Sequence, residues 1–134
     1  MIDGSLGLQE KLYNDAALVA LLAEQASGAP ALFNARLIPP EFLGTPVINY
    51  YRIDPISGGD EVDQFVWSVN CRAESEVLSQ AVAELVYDLL RRTSARVDDY
   101  EYFFTPSLLA TIPPTNEVDD FNSPVDVTVR ARKV

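Results

Sequence analysis

Few stretches of this sequence carry side chains able to do chemistry. The first is "VDQFVWSVNCRAESE" at 62–76, which holds the sole tryptophan, Trp67, and the sole cysteine, Cys71. A cysteine at a helix start beside cationic groups would be a nucleophile, because positive potential favours the thiolate. In an extended strand the choice falls the other way. Phe65, Trp67, Val69 and Cys71 then share one face, while Val66, Ser68, Asn70 and Arg72 share the other. Cys71 points with the aromatics and away from Arg72, and the position six residues on is Val77, which does not fit a cysteine phosphatase. The expected role of Cys71 is that of a small core hydrophobe.

The other candidates are carboxylates, grouped as Asp60, Glu61 and Asp63, as Asp98, Asp99 and Glu101, and as Glu117, Asp119 and Asp120. Such groups can bind a divalent cation or act as general acid and base. None has EF-hand spacing. The chain contains no histidine, which removes Ser-His-Asp and Cys-His catalysis and imidazole metal ligation together. Neither phosphate-binding glycine motif occurs, and "SGGD" at 57–60 is a turn without the following helix a phosphate site needs. The acidic runs are expected to be solvated loop surface. A metal-dependent enzyme built on them is the alternative from another functional class. Tyr50, Tyr51, Tyr100 and Tyr102 could form an aromatic binding platform, but aromatics favour strands and sheet packing is the expected role. No catalytic residue, cofactor-binding residue, cofactor or metal ligand is assigned.

Charge narrows the partners. Across 134 residues the net charge is −10, the wrong sign for gripping nucleic acid by its phosphates, so no sequence-specific nucleic-acid partner is expected. Basic residues gather at Arg91, Arg92 and Arg96 and at Arg130, Arg132 and Lys133, which read as solvated surface or partner contacts. A single cysteine and an N-terminus unlike a signal peptide point to a cytoplasm. The apolar run "AALVALLA" at 16–23 falls far short of the roughly 20 residues that span a bilayer, so no membrane partner is expected.

The elements that must position these residues follow from periodicity. Leu6, Leu8, Leu12, Tyr13, Leu18, Val19, Leu21 and Leu22 recur at helical spacing, with Asn14 and Asp15 either capping a second helix or interrupting one. Gly28 and Pro30 end that region. Residues 31–45 read as irregular, with a short strand near 35–38. The β-branched and aromatic run 46–53 and the run 62–72 read as an antiparallel hairpin. Residues 75–92 form the clearest helix, with Leu78, Ala81, Val82, Leu85, Val86 and Leu89 in one stripe. Strands follow at 98–104 and 124–132, the latter alternating Val125, Val127, Val129 and Ala131.

The predicted fold is α+β, one domain over 1–134, with a mostly antiparallel sheet of about four strands and helices packed on one face. The stretch 105–123, "TPSLLATIPPTNEVDDFNS", reads as a long proline-rich connection, uncommon inside a compact domain unless functional. Leu108, Leu109, Ile112 and Phe121 would make it a contact arm to a neighbouring subunit or ring, stiffened by Pro106, Pro113, Pro114 and Pro124. Alternatively it folds back over its own sheet and buries those four side chains.

The run "LYNDAALVALLAEQ", the segment "TPVINYYRI", the strand "DQFVWSVNCRA", the helix "SEVLSQAVAELVYDLLRR" and the final alternating strand resemble the tail completion, or tail terminator, proteins of long-tailed bacteriophages. The resemblance spans nearly the whole chain. It implies a structural virion protein without cofactor, assembled in the host cytoplasm and located in the virion tail. Copies of the chain, usually six, would form a ring on the last ring of the tail tube and join it to the head. The implied partners are the chain itself, the tail tube protein and a neck or head-completion protein, with DNA passing through the lumen. A neighbouring neck or head-completion ring protein is the alternative within this class. Candidate subunit or ring contacts are Leu108, Leu109, Ile112, Phe121, Arg130 and Arg132.

Overall fold

The computed structural model of the chain describes residues 3–53, 64–91, 93–115 and 119–134. In chain order the elements are α1 (Ser5–Asn14), α2 (Ala16–Leu21), β1 (Leu32–Phe33), β2 (Val47–Arg52), β3 (Gln64–Ala73), α3 (Glu76–Arg91), β4 (Ser94–Val97), β5 (Tyr100–Leu108) and β6 (Phe121–Lys133).

Local chemistry sets the helix boundaries. Asp15 ends α1 in an extended conformation, and its carboxylate accepts from the Leu18 backbone N–H at 2.9 Å to cap α2. The N-terminal apolar run is therefore two helices. Ser75 caps α3 by accepting from the Leu78 N–H at 3.1 Å. Glu76 and Arg91 sit at the helix ends the dipole favours for their charges. The inward stripe of α3 is Ser79, Val82, Ala83, Val86 and Leu90, all buried.

The strands form one sheet in the order β1-β2-β3-β6-β5-β4. The β1–β2 pair is parallel and every other pair is antiparallel. Residues of β2 and β3 pair as the expected hairpin, from Val47 opposite Arg72 to Arg52 opposite Trp67. Alternation gives the sheet two unlike faces. Ile48, Tyr50, Phe65, Trp67, Val69, Cys71, Tyr102, Phe104, Val125, Val127 and Val129 join Leu8, Leu12, Leu18 and the α3 stripe in one core. Burying each of the large side chains contributes on the order of 1.5–3 kcal/mol. The opposite face carries Asn49, Ser68, Asn70, Arg72, Asn122, Thr128 and Arg130.

The expected four-stranded sheet with helices packed on one face is overturned. Among the described residues the sheet has six strands, is mixed and is curved into a half-barrel, with strand outweighing helix. Two added strands account for the difference. β1 is two residues long, at Leu32–Phe33 rather than 35–38, and β4 is a four-residue edge strand, "SARV". Both are too short to show a period. The strands flanking the proline-rich stretch are also longer than their apolar patterns: β5 continues to Leu108, and β6 begins at Phe121.

Candidate functional site

Cys71 is fully buried in the core, and burial pushes its thiol well above the ordinary range. It is packed as a hydrophobe, out of reach of any substrate. The tyrosines make no platform. Tyr50 and Tyr102 are buried, while Tyr51 and Tyr100 are half-buried in the sheet. Trp67 donates its indole N–H to the Asp3 carbonyl at 2.6 Å, tying the start of α1 to β3.

Asp60, Glu61, Asp63 and Glu117 lie outside the described residues. Asp98 and Asp99 form the turn between β4 and β5, where Asp98 adopts φ 54°, a left-handed conformation aspartate tolerates better than most residues. Among the described residues no group of three or more acidic, cysteine or histidine side chains could hold a metal ion. Likewise, no described helix is long and apolar enough to cross a membrane.

Beyond Leu108 the chain stays beside β6. Leu109 N–H donates to the Pro124 carbonyl at 3.1 Å, and Ile112 and Asn122 exchange backbone bonds of 2.7 and 3.0 Å. Thr111 Oγ1 lies 3.0 Å from Ser123 Oγ and accepts from Gln80 Nε2 at 3.1 Å, while Ser79 Oγ lies 2.9 Å from Ser123 Oγ. These bonds fasten residues 109–112 to β6 and to the start of α3. The apolar side chains are nevertheless only half covered: Leu108 and Leu109 are 46% exposed, Ile112 is 49% exposed, and Phe121 is partly buried. Val77, one turn before Gln80 on the same side of α3, is 78% exposed. These exposed apolar side chains lie toward the end of the sheet where β5 finishes and β6 begins.

A second feature lies on the polar face at the same end of β6. Arg72 sits between Val47 and Asn122 in the register and directs Nε to Asn49 Oδ1 at 3.4 Å. Asn122 Nδ2 donates to Asn70 Oδ1 at 2.9 Å, and Asn49 Nδ2 donates to the Ala35 and Arg36 carbonyls at 3.2 and 3.1 Å, holding the 34–46 segment against the sheet. Between that segment and β6 runs a groove of about 330 Å³ with Pro39, Phe42, Leu43 and Val47 as its wall and Arg72, Asp119 and Asp120 as its charged groups. Burial raises the Asp120 carboxyl above the usual range; Arg72 opposes the shift, and Asp119 and Glu74 add to it. Leu43, on the rim, is 89% exposed.

At the far end of β6, Arg130 and Arg132 project from the same face. Arg132 stacks its guanidinium 5.3 Å from the Phe103 ring centroid and pairs with Glu101 at 3.3 Å. Phe103, Arg130, Ala131 and Arg132 line a depression of about 420 Å³. The candidate contacts therefore divide between the two ends of β6. Leu108, Leu109, Ile112 and Phe121 gather at its start, and Arg130 and Arg132 at its finish. The groove was not expected from the sequence, although Arg72 following Ser68 and Asn70 on one strand face was a signal for it.

No family model matches the chain, and no curated protein matches it. Its fold is shared with a chain in the virion of a native gene transfer agent (GTA) particle. The superposition has a TM-score of 0.62 and covers 94% of this chain and 92% of that one, at 20% sequence identity.

Proposed function

We propose that this chain is a structural, non-enzymatic protein of a phage-like virion, forming a ring that caps the end of the tail tube and joins the tail to the head and neck. The observation that carries the proposal is the near end-to-end fold match to a chain of a gene transfer agent virion. The distribution of surface chemistry supports it. Half-exposed Leu108, Leu109 and Ile112 are held in place by backbone bonds to β6 rather than left loose, as a preformed contact surface requires. Arg130 and Arg132 supply cations to a chain whose net charge is −10, giving neighbouring copies an attractive contact where their overall charge repels. On this reading the partners are further copies of the chain, the tube protein below and a neck protein above.

Deleting the gene from the genome that carries it, with complementation by the intact chain, tests the proposal. Filled heads and unjoined tails should accumulate without the chain, and complementation should restore joined particles. Intact, joined particles in the deletion would refute it.

A further inference from the structure

We infer that the groove between the 34–46 segment and the start of β6 receives, from the next copy of this chain, the end of β6 that carries Arg130 and Arg132. This rests on the ring reading above and specifies its contact. The two surfaces are chemically complementary. The groove offers two carboxylates, Asp119 and Asp120, against one cation, Arg72, beside an apolar wall of Phe42 and Leu43. The far end of β6 offers two guanidinium groups, of which Arg132 lies over the Phe103 ring and, although paired with Glu101, stays largely exposed. Arginine suits such a site, because its planar fork meets carboxylates in pairs while its aliphatic stem covers apolar surface. Docking would also cover Leu43, which is 89% exposed in the single chain.

The two surfaces lie at opposite ends of the 13-residue strand β6, roughly 30 Å apart at the usual rise per residue. Each copy therefore carries one donor end and one acceptor end. A contact between unlike patches leaves a free patch on each partner, so copies continue to add until the rotation closes a ring. The partly desolvated Asp120 carboxyl, which in the single chain shares the Arg72 cation with Asp119 and Glu74, gains further positive charge when the neighbour's arginines arrive.

The experiment uses the full chain in sedimentation velocity over a concentration series, with copies per purified particle counted in complemented virions. Asp119→Lys and Leu43→Asp change exposed side chains, so circular dichroism melts should match wild type. Each should raise the midpoint concentration of assembly at least about tenfold and reduce incorporation into particles, and Arg132→Glu should do the same. Asp119→Lys and Arg132→Glu in one chain should regain assembly. Unaltered assembly of the single variants, or a charge-swapped chain no better than either parent, overturns the inference while leaving the ring intact. Variants that form normal rings yet fail to join tails would assign the groove to a different virion protein and overturn the second-copy occupant. A wild-type chain present as one copy per particle would refute the ring reading itself, a distinct result.

Discussion

Gly7 of α1 lies against the ring of Tyr102 on β5 so closely that a Cβ added at residue 7 would sit 2.5 Å from Tyr102 Cγ. Tyr102 is 2% exposed and belongs to the core, so it has no free space into which to retreat. Replacing a helical glycine by alanine ordinarily stabilises by about 0.5–1 kcal/mol. Here overpacking should reverse the sign, and Gly7→Ala is expected to cost about 1–3 kcal/mol in a urea or thermal melt.

Trp67 ties the chain start to the sheet through its bond to the Asp3 carbonyl. Trp67→Phe keeps an aromatic ring in the core but removes the donor, leaving a carbonyl without its partner. The variant should lose about 1–3 kcal/mol. It should also speed amide exchange in the first turn of α1 more than in α3, which hydrogen exchange read by mass spectrometry would resolve.

Cys71→Ser should cost about 1–2 kcal/mol, the penalty for a hydroxyl in an apolar site, and should leave assembly unchanged. A thiol reagent should label the native protein slowly and the urea-unfolded protein at once. The contrast follows from complete burial and a thiol held protonated by it.

Asp120 gives a pH dependence of definite sign. Its folded-state carboxyl binds a proton more tightly than the unfolded one, because burial raises it. Stability from this group is therefore fully present below the unfolded carboxylate range and falls as pH rises through the raised folded value. Asp120→Asn should melt higher than wild type at neutral pH, with the difference vanishing in acid. Asn49, Asn70 and Arg72 face the same region of the sheet, and Arg72, the cation among them, limits the size of the effect.

Much of the fold was legible where a period ran long enough. α3 at Glu76–Arg91 lies within the 75–92 stripe, and β2 and β3 fall within one or two residues of the expected hairpin strands. β6 extends three residues before the alternating run, through Pro124, because β5 has ended there and only β3 still forms a full ladder. Pro106 similarly sits inside β5, beyond the point where β4 stops opposite Phe103, so β5 is an edge strand where proline is tolerated. Reading those prolines as breaks produced the expected structureless stretch. The groove was hidden for another reason: it joins Arg72, Asp119 and the 34–46 segment, which only the register of β2, β3 and β6 brings together.

Electron cryo-microscopy of virions from the genome that encodes this chain, with the structure fitted at the head–tail junction, decides whether the chain forms the proposed ring. The expected result is a closed ring of copies seated on the last ring of the tail tube, with the end where β5 finishes and β6 begins at a subunit or ring contact. Absence of the chain from purified virions, or a position away from that junction, would contradict it.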